Sequence, residues 1–360
     1  MASLPAFSHP PAEAVRIVEV SPRDGLQNIP HLVPTPIKIE LIRRLVRAGL
    51  VNVEATSFVS PKWIPQLADN TEVLRAIAPL LRDTSLRLPV LIPNLRGLDG
   101  ALGSGVKEVA VFVSASESFS RKNTNCSVEQ ALDRAREVAV KARREGVAVR
   151  GYISCIIECP YDGRTPPSAV LRTAHALLEM GCYEVSLGDT LGTATPRDIE
   201  ALLSVLLDST SLGIAPSKLA GHFHDTHGQA VANVLQAYEM GLRTFDASVA
   251  GLGGCPFAVV NNSSPSCSTS TSTSTSSSTS PSTSPGNVAT EDLVRAFHCR
   301  GVATGVNLGE LIATGRWISD VLGRENEKSV QVDEAKMLKT KHIGQQQMMT
   351  AQEIPVVSVR

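Results

Sequence analysis

Within Gly221-His-Phe-His-Asp225 two imidazoles stand two residues apart. On a β-strand side chains alternate faces with a period of two, so His222 and His224 point the same way while Phe223 packs on the other side. Two imidazoles about 6 to 7 Å apart along a strand suit one metal ion between them. A lone His-x-His is more often a satisfied or surface pair, so further donors decide the matter. Asp24, in Arg23-Asp24 just past the first β-branched run, supplies a carboxylate. Two nitrogens and one carboxylate oxygen, with no thiolate, accept Mg²⁺, Mn²⁺ or Zn²⁺ and do not select among them. Glu54, Asn94, Ser154 with Cys155, Asp189 and Asp225 also sit on or just after apolar runs, and Gly251-Leu-Gly-Gly-Cys255 follows the last of these runs. Each taken singly is ordinarily a loop residue or a helix cap. Their concentration behind successive runs is what points to a site.

The runs that must position these residues cover 16–20, 51–54, 88–92, 108–113, 149–153, 183–187, 218–222 and 244–249. Between them lie stretches with apolar spacing near 3.6, such as 37–48, 128–144 and 226–240, which predict helices. Gly49, Gly146, Gly181 and Gly241 stand where those helices should end before the next strand. Eight such βα units predict a (β/α)8 TIM barrel, whose active residues collect at the C-terminal ends of the strands. The first and seventh strands are both odd-numbered, so Asp24 can share a layer with His222 and His224. A doubly wound sheet is the alternative, but no GxGxxG follows the first strand. The barrel is expected over 16–324, after a short flexible N-terminus at 1–15. Residues 261–285 are almost pure Ser and Thr and are expected to form a disordered loop insertion, with 325–360 as a disordered C-terminal tail.

The chain has 360 residues, 42% hydrophobic and 4% aromatic, and its 34 basic and 35 acidic side chains leave a net charge of -1. That balance gives no reason to expect nucleic acid or an anionic membrane as partner, and no apolar run reaches the roughly 18 residues of a membrane span. Seven cysteines, an odd number with no CxxC, predict reduced thiols. The first 15 residues contain no Lys or Arg. A cytoplasmic protein is therefore expected, with the mitochondrial matrix as the alternative for a longer N-terminus. Cys155 and Cys159 are expected to pack near the pocket without metal, Cys267 to be exposed, and His227 to open the helix after the seventh strand.

Five segments taken together carry a resemblance. Ser21-Pro-Arg-Asp-Gly-Leu-Gln-Asn28, Glu54-Ala-Thr-Ser-Phe-Val-Ser-Pro-Lys62, Ser186-Leu-Gly-Asp-Thr190, Gly221-His-Phe-His-Asp-Thr-His-Gly-Gln229 and Gly251-Leu-Gly-Gly-Cys-Pro256 resemble the 3-hydroxy-3-methylglutaryl-CoA lyase family, in order, over about residues 16–323. Arg-Asp and His-x-His are shared with isopropylmalate and homocitrate synthases. Leu26, where those synthases usually carry Glu, and the Gly-Gly-Cys-Pro loop are narrower. The resemblance implies a carbon–carbon lyase that cleaves 3-hydroxy-3-methylglutaryl-CoA to acetoacetate and acetyl-CoA. It also implies a divalent metal, Mg²⁺ or Mn²⁺, held by Asp24, His222, His224 and the amide oxygen of Asn287. Arg23 would stabilise the enolate and Cys255 protonate the carbanion, while Asp189, Glu54 and Gln27 assist proton transfer or orient the site, Gln27 together with Arg23 binding substrate. The partner is then a small-molecule acyl-CoA, and the chain admits a homodimer. In the family the asparagine follows the cysteine closely, whereas here residues 256–286 separate Cys255 from Asn287. The alternatives are a metal-binding homologue without turnover and a lyase for a related 3-hydroxy-acyl-CoA.

Overall fold

The β-branched runs pair in parallel. The structure, a computed structural model, describes residues 14–208, 210, 213–254 and 286–324. Its strands are β1 (Arg16–Glu19), β2 (Asn52–Val53), β3 (Thr56–Ser57), β4 (Val90–Leu91), β5 (Glu108–Ser114), β6 (Ala148–Ser154), β7 (Glu158–Cys159), β8 (Gly163–Arg164), β9 (Val185–Asp189), β10 (Leu219–Phe223) and β11 (Thr244–Ala247). Nine of them form one curled sheet in the order β2-β1-β11-β10-β9-β6-β5-β4-β3. Every pairing in it is parallel. The terminal members β2 and β3 belong to one stretch of chain, broken only at Glu54 and Ala55. Across that break the ladder continues, because Glu54 N–H donates to the Glu19 carbonyl (2.8 Å) and Ala55 N–H to that of Pro89 (3.0 Å). Both edges of the sheet therefore meet in one segment, as a TIM-barrel fold requires.

The helices lie between successive strands and bury one stripe each. The helix Val128–Arg144 begins at Ser127 with a reciprocal capping box to Gln130 and buries Ala131, Ala135, Val138, Ala139 and Ala142 against β5 and β6. Small residues on that stripe let helix and sheet approach closely, consistent with the low aromatic content. The anticipated helix exits hold: Gly49, Gly146, Gly181 and Gly241 all have positive φ. No described helix is long and apolar enough to cross a membrane.

Several boundaries differ from expectation. The second strand runs on to Ser57, and the seventh is Leu219–Phe223 because Pro216–Lys218 forms a 3-10 turn. The helix expected over 226–240 is Ala230–Glu239. The Asp225 carboxylate accepts the Ala230 N–H (3.0 Å) and Gly228 has φ +71°, so His227 is exposed in the intervening turn and does not open the helix. The antiparallel pair β7–β8 and the π-helical turn Ser21–Gly25 were not anticipated, since two- to five-residue features leave no periodicity to read. Asn94 caps the helix Leu95–Leu102 by accepting from Gly97 N–H (3.0 Å). Cys155 and Cys159 pack with Phe119, as expected.

The expected N-terminal segment (but for its last two residues), the 261–285 insertion with Cys267, and the 325–360 tail lie outside the described residues. The described residues on either side of 255–285 meet at Gly253 and Gly286. A methyl group at Gly286 would stand 1.9 Å from the Gly253 carbonyl oxygen, so backbone meets backbone and only glycine fits. Replacing 261–285 by a short glycine bridge should leave the melting temperature of the barrel unchanged, because chain closure costs little and Gly253 already meets Gly286. A fall of many degrees in a calorimetric scan would show that the tract carries core contacts.

Candidate active site

The π-helical turn Ser21–Gly25 directs three successive N–H groups, of Arg23, Asp24 and Gly25, at the single carbonyl of Val20. Such turns frequently re-aim side chains at functional sites, and this one places Arg23 and Asp24 together past the end of β1. The Arg23 Nε and Nη2 both bond Glu54 Oε2 (2.8 and 2.7 Å), and its Nη1 bonds Asp24 Oδ1 (2.6 Å). Its guanidinium lies over the Tyr152 ring, 5.7 Å from the centroid. Burial disfavours the charge on Arg23, but Glu54 and Asp24 outweigh it and hold the group cationic. Glu54 itself is fully buried at the break between β2 and β3.

His222 and His224 share a face, as the strand period requires, with Phe223 in the core. Their Nε2 atoms are 3.3 Å apart. The His222 Nδ1 lies 3.1 Å from Asp246 Oδ2, and the His224 Nδ1 lies 2.9 Å from the Thr190 carbonyl oxygen. Both neighbours are acceptors, which assigns a hydrogen to each Nδ1 and turns both Nε2 lone pairs inward. One donor atom each from Asp24, His222 and His224 lies within 4.8 Å of the others. Burial raises the Asp24 carboxyl, yet Arg23, both histidines and the Asn287 amide prevail and bring it down to about 2. Burial, reinforced by His222, brings His224 down to about 4. At neutral pH Asp24 is thus an anion and His224 a neutral imidazole, while at His222 burial is outweighed by Asp246 and Asp24, which raise the ring above its ordinary value.

Asn287 joins from the far side of the undescribed segment. It forms a bridge with His224, and its Nδ2 donates to Asp24 Oδ2 (2.8 Å) and to the Leu252 carbonyl (3.0 Å). Its buried Oδ1 has no partner among the described residues. An orphaned amide oxygen beside a carboxylate and two inward lone pairs fits a divalent cation.

Arg23, Asp24, His222 and His224 line a cavity of about 640 Å³, whose walls also include Gln27, Tyr152 and Gly254. Cys255, next in sequence to Gly254, lies outside the described residues. Asp189 does not line the cavity. It is buried, with Oδ2 accepting the Ala194 N–H (3.0 Å), and burial, opposed by backbone N–H groups, pushes it up to about 6. Glu54 likewise does not line the cavity and reaches it only through Arg23. Sequence reasoning missed Tyr152 and Asp246; both sit inside strands where a polar group is out of place, the one signal available.

Past β11 the chain turns over Val249–Gly251 toward the cavity, with Ala250 at φ +55°. Two buried carboxylates hold this turn. Glu19 accepts from Val249 N–H (2.9 Å) and Ser21 N–H (3.0 Å), and Glu291 accepts from Ala250 N–H (3.0 Å). Burial pushes Glu291 up to about 8, with Glu19 adding to the rise against the backbone bonds.

A family model described as HMGL-like matches residues 14–318. The chain is 49% identical over 313 residues to "Hydroxymethylglutaryl-CoA lyase, mitochondrial" of Arabidopsis thaliana, covering 87% of this chain and 60% of that protein. It is 46% identical over 316 residues to the Bos taurus protein of the same name, covering 88% of each. Among solved structures, an HMG-CoA lyase from Acinetobacter baumannii in complex with coenzyme A and 3-methylmalate superposes with a TM-score of 0.76 at 34% identity, over 91% of this chain and 97% of that one.

An unfolded glutamate titrates near 4.5, so between that pH and about 8 only the folded state holds the Glu291 proton, and stability falls as pH rises through the window. Glu291→Gln, which cannot ionise, should therefore gain stability relative to the parent as pH climbs from acid to mildly alkaline. Urea midpoints across that range check it; a difference that does not grow with pH would overturn the assignment.

Proposed function

We propose that this chain, which belongs to the HMGL-like family, is a carbon–carbon lyase that cleaves 3-hydroxy-3-methylglutaryl-CoA to acetoacetate and acetyl-CoA. The observation that carries the reading is the convergence of Asp24, His222 and His224, with donor atoms within 4.8 Å of one another, in one cavity with Arg23. High identity to the named lyases over most of the chain supports it.

Asp24, His222 and His224, with Asn287 through its amide oxygen, would hold a divalent cation, Mg²⁺ or Mn²⁺. When bound, that ion supplies Lewis acidity to the substrate's tertiary hydroxyl. The rest falls to the chain itself. Arg23 is clamped by Glu54 and Asp24 and keeps N–H groups free to meet the thioester oxygen, where enolate charge develops as the carbon–carbon bond breaks. Glu54 orients Arg23 and does not touch substrate. Gln27 lies on the cavity wall beside Arg23 and suits a substrate contact. Asp189, through Ala194, shapes the loop after β9 that carries Thr190, the partner of His224. Cys255 delivers the proton to the acetyl-CoA carbanion, a role that rests on its motif.

The acyl-CoA would extend along the cavity's outer walls. Lys122 and Arg134, which line the cavity, match the phosphates of coenzyme A, and Trp63, 80% exposed and also on the lining, offers a stacking face. The reading without turnover is not favoured. The candidate metal-binding side chains converge, and Gly253 and Gly286 already meet across the segment that holds the tract.

Purified protein with Mg²⁺ or Mn²⁺ should release acetyl-CoA from 3-hydroxy-3-methylglutaryl-CoA. Protein that binds the ion without cleaving the substrate would overturn the lyase reading. Arg23→Gln should keep stoichiometric metal but lose roughly 10²–10³-fold in turnover, the scale of one lost oxyanion donor. His224→Ala should lose metal and activity together with the barrel still folded. Elemental analysis beside the kinetics separates the two, and metal retained in His224→Ala would sink the ligand assignment.

A further inference from the structure

The barrel interior beside His222 holds a buried ionic network that the chemistry above does not use. Arg150 on β6 has no exposed surface, and Glu184 and Asp246 are 1% and 2% exposed. The Arg150 Nε bonds Glu184 Oε1 (2.9 Å), its Nη1 bonds the Tyr152 hydroxyl (2.9 Å) and Asp246 Oδ2 (3.2 Å), and its Nη2 bonds Asp246 Oδ1 (2.7 Å). Ser186 donates a further bond to Asp246 Oδ2 (2.7 Å). Removing such ions from water costs several kcal/mol each, and apolar residues of similar volume often serve stability as well or better. The network is thus poorly explained as a stabilising device.

Its position supplies another reason. Asp246 on β11 stands in register with His222 on β10, and its Oδ2 is 3.1 Å from His222 Nδ1. The arginine fork and the serine hydroxyl leave that carboxylate one orientation. The second histidine, His224, rests on a neutral carbonyl instead. An anionic acceptor fixes the ring, keeps hydrogen on Nδ1 and makes Nε2 the better electron-pair donor.

We infer that Asp246, held by Arg150 and Ser186, is a positioning residue that locks His222 as its Nδ1–H form and so sets the affinity of the Asp24–His222–His224 site for a divalent cation. The inference rests on the metal site proposed above, not on the identity of the substrate. It needs neither acyl-CoA nor Cys255.

The test uses Mn²⁺ alone on the full chain, by titration calorimetry and by the free-Mn²⁺ electron spin resonance signal. Asp246→Asn keeps the shape but removes the charge and turns an amide N–H toward a donor. It should weaken Mn²⁺ binding about 10- to 100-fold, and Ser186→Ala should weaken it less. The metal-free melting temperatures are recorded beside these values. Proton–nitrogen correlation spectra of the metal-free parent, at a pH where the ring is neutral, should show His222 protonated at Nδ1, a tautomer that neither a bound ion nor a purely structural role for Asp246 then imposes. Folded Asp246→Asn with parental Mn²⁺ affinity overturns the inference, as does a His222 ring protonated at Nε2. If Asp246→Asn fails to fold, the tautomer of the parent decides. A parent that binds no Mn²⁺ would bring down the metal reading as well, whereas a parent that binds Mn²⁺ without cleaving substrate leaves this inference standing and removes only the lyase reading.

Discussion

The closure of the parallel sheet at Glu54 is the constraint from which the site follows. Because β2 and β3 are two halves of one stretch of chain, the ladder can join β1 to β4 only by passing through that residue. The break in regular pairing turns its carboxylate toward the end of β1. There it takes a hydrogen bond from Arg23 Nε and an ion-pair contact from its Nη2. Arg23 in turn grips Asp24, so the fold's seam and the site's cation are joined by one carboxylate. A parallel arrangement also puts every strand's C-terminal end on the same rim, which brings His222, His224 and Asp24 together although about two hundred positions separate them in the chain.

Burial gives these groups their chemistry. In water, neighbouring charges of this kind would be screened and mobile. Inside the barrel each is held by a defined partner: Asp24 by Arg23 and Asn287, His222 by Asp246, His224 by the Thr190 carbonyl. Two inward lone pairs 3.3 Å apart and an unpartnered amide oxygen on Asn287 would be expensive in a finished core. A divalent cation would remove that expense, and the same residues would then hold it.

The turn after β11 follows a related logic with opposite charge. Backbone N–H groups of Val249 and Ala250 point at Glu19 and Glu291, and burial, with a smaller push from Glu19, drives Glu291 toward its neutral form. That turn delivers Gly253 to Gly286, so Asn287 returns to the candidate metal site however many residues intervene. An inserted tract is tolerable at this point because the barrel already fixes Gly253 and Gly286 against each other.

The barrel was legible in the chain because its signals are local. Alternation within 222–224, helical spacing in 128–144 and a glycine at each helix exit depend on neighbours a few residues away. The sharing of a face by His222 and His224 follows from strand geometry alone. Pairings across the barrel were not legible. That His222 meets Asp246, that Arg150 reaches Asp246 and Glu184, and that Tyr152 underlies Arg23 depend on the register of strands β6, β9, β10 and β11. Asn94 and Asp225, read from position as site candidates, accept backbone N–H groups at helix starts, Asn94 doing so from the cavity wall, and Asp189, read as catalytic, engages the loop after its own strand through Oδ2. A polar residue at a strand end carries no mark of the direction in which its side chain will find a partner. Only the packed barrel, where each buried donor and acceptor must be matched, made that choice.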